Sequence, residues 1–132
     1  MAMATTPSSS MSGMKTAISR GDVVQVRLDP AEGREICKIR PAVVVSNRIA
    51  CRYDSVLQVV PITGLQERAL RPYEARIEGG SSGLDKPSRA VANQIRTVAR
   101  HRLVKHLGAL STPELEAVDR AIAIQLGLRS EA

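Results

Sequence analysis

Only one stretch of this chain is built to be a long helix, and it comes at the end. Ser111-Thr-Pro-Glu114 is a capping box with proline inside the first turn, which predicts a helix from about Thr112 to Leu126. At 100° per residue Leu115, Val118, Ile122 and Leu126 share one face, while Ala117, Ala121, Ile124 and Leu128 line roughly the opposite one. A surface helix needs a single apolar stripe. Two stripes imply packing on its own sheet and on a second surface, such as another subunit. Everything before this helix comes in runs of strand length, broken by turn residues.

Residues 22–28, DVVQVRL, alternate as a strand does, and Asp29-Pro30 ends them. Residues 31–40, AEGREICKIR, read as a loop long enough to suggest function. A second strand follows over 41–46, then a short basic excursion over 47–54, NRIACRYD, and a third strand over Val56–Ile62 that ends in Thr63-Gly64. Residues 73–77 alternate again, 78–88 (EGGSSGLDKPS) are a surface loop, 89–98 (RAVANQIRTV) read as one strand, and 99–107 (ARHRLVKHL) as a short helix. No strand–helix–strand repeat occurs. The expected fold is therefore α+β: a small, mainly antiparallel barrel or curled sheet with helices attached. Residues 1–18 begin with the small polar run MAMATTPSSSMSG and are expected to be a disordered leader, leaving 19–130 as one domain.

Composition limits the chemistry. Hydrophobic residues make up 43% of the 132, yet Phe and Trp are absent and Tyr53 and Tyr73 are the only aromatics. Such a chain makes a poor base-stacking platform, which argues against a plain oligonucleotide-binding barrel. The net charge is +6, and 15 of the 19 basic residues are arginine. That balance permits a phosphate-bearing partner without establishing one. Cys37 and Cys51 form neither a disulfide framework nor a metal site, and His101 and His106 do not share a helical face. Neither a cofactor nor a metal is expected. No apolar run approaches the ~20 residues that cross a bilayer, so no membrane partner and a cytoplasmic location are expected.

Without a catalytic histidine pair, a Gly-x-Ser-x-Gly elbow or a phosphate loop, the polar residues at strand ends remain: Glu35, Arg40, Thr63 and Gln94. Arg40 opens one buried strand and Thr63 closes the next. If the two pair antiparallel, both lie at one edge of the sheet, where an arginine beside a hydroxyl makes a phosphate clamp. Spacing alone favours a plainer arrangement, in which Arg40 pairs with Glu35 or Asp29 and Thr63 caps a turn.

Several motifs in order shift that balance. RGDVVQVRLDP (20–30), Gly-x-Glu-x4-RPAVVVSN (33–47), VVPIT (59–63), GLDKPSRAVANQIRTV (83–98) and the terminal STPELEAVDRAIAIQLGL together resemble the MazF/PemK family of toxin ribonucleases over about residues 19–128. The resemblance implies a compact barrel related to the SH3 and CcdB folds, a homodimer, and metal-independent cleavage of single-stranded RNA at short sequences. It also implies a cognate antitoxin whose disordered tail occupies the RNA groove. By position, Arg40 matches the family's catalytic arginine, Thr63 its catalytic hydroxyl, Glu35 its loop glutamate and Gln94 its RNA-facing glutamine. Arg27, Arg34, Lys38 and Arg96 then fall at the groove. The first loop departs from the family: a small Gly-containing stretch is common there, whereas this chain has GREICK (33–38). Relatives often carry an aromatic or acidic residue at the position of Arg27. A CcdB-like poison of DNA gyrase, working through the terminal helix, and a non-catalytic RNA-binding homologue are the alternatives.

RNA suits such a site, because its internal 2′-hydroxyl can attack the adjacent phosphate and no activated water is needed. Charge then builds on the phosphoryl oxygens, where Arg40 and Thr63 can donate hydrogen bonds. Arginine stays protonated, so Arg40 is assigned to electrostatic stabilisation, with Glu35 as the candidate proton acceptor.

Overall fold

The computed structural model of the protein describes residues 17–28 and 38–130. Its elements run β1 (Asp22–Leu28), β2 (Lys38–Val44), α1 (Arg48–Tyr53), β3 (Val56–Gly64), β4 (Glu74–Ile77), β5 (Ser88–Val91), β6 (Arg96–Ala99), β7 (Leu103–Ala109) and α2 (Thr112–Gln125). All strand pairs are antiparallel, in the order β4-β5-β3-β2-β1-β7, with β6 also on β3. Among the described residues β4 and β7 do not pair with each other. Of the two forms expected, the curled sheet is therefore the one seen, and the barrel is not closed.

The run Ala42–Val45 is apolar without interruption because both faces of the sheet are buried. On one face Val24, Val26, Ala42, Val44, Leu57 and Val59 pack with Val98, Leu103, Cys51 of α1 and Ile18. On the other, Val23, Val43, Val45, Val60, Ile62 and Ile77 lie beneath Val118 of α2. Burying each such side chain contributes roughly 1.5–3 kcal/mol. Ile18, placed by the sequence in the leader, is part of the first core.

Three segments differ from the sequence reading. β2 begins at Lys38 instead of 41, because Arg40, Ile39 and Lys38 continue the ladder with Val26, Arg27 and Leu28 of β1. Residues 89–98 are two strands, not one. Ile62 faces Ala90 while Val59 faces Arg96, six residues of chain against three, and a 3₁₀ turn at Ala92–Gln94 takes up the surplus. Finally, 99–107 is not a helix: after a 3₁₀ turn at Arg100–Arg102 the chain becomes β7 on the open edge of β1. The spacing of Leu103, Val104 and Leu107 suits a helix, but pairing with β1 supplies the backbone hydrogen bonds and overrides that preference. Gly108 fixes the placement, since a Cβ there would run into the Ser81 carbonyl.

α2 carries its expected cap. The Ser111 hydroxyl accepts from Glu114 N, and Glu114 Oε1 accepts from Ser111 N. Glu114 Oε2 also accepts from Glu78 N at 2.8 Å, tying the cap to the end of β4. Arg20 reaches Asp119 with two hydrogen bonds, of 2.6 and 3.1 Å, and so pins the segment just before β1 to α2. The two expected stripes become one broad stripe, Ala117, Val118, Ala121 and Ile122, against the sheet, while Leu126 and Leu128 are exposed. No helix among the described residues is long and apolar enough to cross a membrane.

Candidate active site

The ladder between β2 and β3 stops at Ala42 opposite Pro61. Proline has no N–H to donate; Pro61 stands in the last pair and Pro41 at the next position of the register. Beyond them no described backbone pairing joins the two strands. Continuing the register by two residues sets Arg40 opposite Thr63, and across β3 Thr63 is paired with Arg89 of β5. Directly opposed residues of antiparallel strands project to the same face. Arg40, Thr63 and Arg89 therefore form one row over three strands, on the face that carries Val44 and Val59 further in. What is core at mid-sheet becomes an open cleft at the rim.

That cleft has a volume of about 680 Å³ and is lined by Leu28, Arg40, Pro61, Ile62, Thr63, Arg89, Val91, Gln94, Arg96 and Thr97. Three arginines and two threonines are among these residues, and no carboxylate is. It is therefore built for an anion. Gln94 reaches it because the 3₁₀ turn that absorbs the register shift ends at that residue. Arg96 follows as the first residue of β6, exposed, opposite Val59. Arg40 is exposed and has no ion pair or hydrogen bond among the described residues. Asp29, Arg34, Glu35 and Cys37 lie outside the described residues.

Behind the cleft sits a cluster that the sequence reading missed. Glu74, its side chain 1% exposed, accepts from Arg68 through both oxygens at 2.9 Å, from Arg71 N at 2.8 Å and from Arg89 Nη1 at 2.5 Å. Arg89 Nε donates to the Gly64 carbonyl at 2.9 Å, so this arginine also holds the end of β3 next to Thr63. The Arg68 hydrogen bonds, with help from Arg71 N and the Arg89 charge, hold the Glu74 carboxyl down at about 2 against an ordinary 4.5.

Other expected residues lie elsewhere. Arg27 is opposite Ile39, and strand alternation puts it on the face away from Thr63; its carbonyl accepts from Arg102 Nη1 at 3.3 Å. Lys38 shares the Arg40 face but is not among the residues lining the cleft. Neither histidine lines it. His106 Nε2 instead approaches Asp22 Oδ2 at 3.4 Å, between β7 and β1. Cys51 is buried, and loss of hydration raises its thiol pKa; its Sγ donates to the Ser46 carbonyl.

An open antiparallel sheet with an arginine-rich cleft at its rim defines a small β-protein whose cleft suits an anion. The sequence model of the PemK-like, MazF-like toxins of type II toxin–antitoxin systems matches residues 19–126, and the chain belongs to that family. It is similar to Endoribonuclease MazF9 of Mycobacterium tuberculosis, at 39% identity over 116 residues, covering 84% of this chain and 98% of that protein. Among solved structures it resembles an endoribonuclease in complex with its cognate antitoxin from a mycobacterial species, with a TM-score of 0.68 at 26% identity, over 86% of this chain and 98% of the other. It shares its fold with MazF in the MazE–MazF complex of Deinococcus radiodurans, with a TM-score of 0.71 at 22% identity, over 86% and 98% of the two chains.

Proposed function

We propose that this toxin is an endoribonuclease that cleaves single-stranded RNA at short sequences and thereby stops translation in the cytoplasm. Its substrate lies in the cleft between Arg40, Thr63, Gln94 and Arg96. The observation that carries the reading is the row in which Arg40 and Thr63 flank the point where two prolines end the β2–β3 ladder. In the proposed reaction the 2′-oxygen attacks the adjacent phosphorus and gives up its proton, for which Glu35 is the candidate acceptor. The phosphorus–5′-oxygen bond breaks, and the 5′-oxygen leaves with a proton taken up from solvent. The products are a 2′,3′-cyclic phosphate and a 5′-hydroxyl. Arg40 and Thr63 donate to the phosphoryl oxygens as charge accumulates there. Such donors act most strongly where charge develops, and here the sheet fixes the backbone positions of both.

The same reading makes the protein a homodimer held in check by a cognate antitoxin. The family membership and the antitoxin bound to the mycobacterial relative support it. Product ends test the chemistry. Fragments from a long RNA should resist ligation at their 3′ ends until the cyclic phosphate is removed, and should accept phosphate at their 5′ ends without prior dephosphorylation. A single 2′-deoxy nucleotide on the 5′ side of a mapped cut should abolish that cut. Cleavage that persists at the deoxy nucleotide would rule out attack by the 2′-oxygen.

A further inference from the structure

The buried cluster beside Thr63 holds more positive charge than it needs. Arg68 alone satisfies both oxygens of Glu74, with Arg71 N as a further donor, yet Arg89 is packed against the same carboxylate with only 11% of its side chain exposed. Two guanidinium groups on one carboxylate leave one surplus charge in a mostly buried position. A mostly buried cluster that keeps a net charge is costly, so a fold that retains one has a use for it. Nε of Arg89 is used by the Gly64 carbonyl and Nη1 by Glu74, while Nη2 has no partner among the described residues. The side chain lines the cleft, and its residue is the direct cross-strand partner of Thr63.

We propose that Arg89 is a substrate-binding residue of this toxin: held rigid by Glu74 and Gly64, it presents Nη2 to a phosphate of the RNA on the side of Thr63 away from Arg40. Paired strands are about 4.8 Å apart, so the backbones of Arg89 and Thr63 are about that far apart, with Arg40 on the other side of Thr63. One arginine can then hold the phosphate being cleaved while the other holds a neighbour, setting the register of the RNA over Thr63. The Arg89 side chain cannot fold away when the cleft is empty, so little ordering is required on binding. This inference rests on the endoribonuclease reading above and adds a residue to its site.

The test uses a random-sequence 20-nucleotide RNA that is 2′-O-methylated throughout, which binds without being cut. Affinity is measured against salt for the wild type, Arg89→Gln and Arg76→Gln. Arg76 is the control: it is opposite Arg89 on β4 and removes the same charge, but it is half exposed, pairs with Glu78 and lies outside the cleft. Arg89→Gln should bind about tenfold more weakly at low salt and flatten the slope of log K against log salt by about 0.7, the loss of one phosphate contact on a single strand. Arg76→Gln should keep the wild-type slope. Arg89→Gln with the wild-type slope and affinity would overturn the assignment and leave Arg89 a structural residue. A wild type that fails to bind the RNA at low salt would instead defeat the endoribonuclease reading. A measurement on the unmutated protein covers the case in which Arg89→Gln does not fold: the Arg89 Nε–H resonance should shift when this RNA is added, and an unmoved resonance on saturation counts against the proposal.

Discussion

Glu74 shows how much one residue can carry. Its folded pKa of about 2 lies below the ordinary 4.5, so the unfolded chain takes up the proton first as pH falls. The stability it supplies is complete above about pH 4.5 and is lost as the pH drops toward 2. At 1.36 kcal/mol per pKa unit, it amounts to about 3 kcal/mol. Glu74→Gln should therefore lower the stability at pH 7 by about 3 kcal/mol in denaturant titrations, and should lose less stability than the wild type on acidification from pH 5 to 3. At Arg40, replacement by alanine should lower kcat by about 10²–10³ with stability unchanged. Lysine should restore only part, since a point charge does not reproduce the planar fork. Arg40 and Thr63 stood out in the sequence because Arg40 precedes Pro41 at the start of one valine-rich run and Thr63 lies two residues after Pro61 at the end of another. Arg89 and Glu74 did not, because their meaning depends on which strand lies beside β3 and on an ion pair between residues 15 apart in the chain.

Among the elements, α2 and the first three strands could be read directly, since capping chemistry and unbroken valine runs are local signals. β7 was misread because its apolar spacing fits a helix equally well, and only the vacant edge of β1 decides the matter. The turn at Ala92–Gln94 was invisible for a similar reason: the register shift that requires it belongs to β3. Two predictions belong here. Gly108→Ala should destabilise the protein strongly, because the new Cβ meets the backbone of Ser81 and Ser82 instead of a flexible side chain. Its melting temperature should fall well below that of the wild type. Ser111→Ala should cost about 1 kcal/mol with RNA cleavage unchanged, since α2 covers the face of the sheet opposite the cleft.

For the whole molecule, both faces of the sheet are buried over most of its area, and the exposed rim where the β2–β3 ladder ends is where the arginines gather. A chain with a net charge of +6 and almost no aromatics has little means of gripping bases by stacking. Its hold on RNA should therefore depend on phosphate contacts and weaken steeply with salt. If Arg40 and Thr63 form the site of RNA cleavage, loss of either side chain must slow every cut. A long single-stranded RNA is incubated in EDTA with the wild type, Arg40→Ala and Thr63→Ala, each shown to be folded, and the cut sites are mapped. The account predicts cuts by the wild type at one short recurring sequence, with the rate at those sites down by about 10²–10³ in each variant. Variants that cut at the wild-type sites and rate would contradict it.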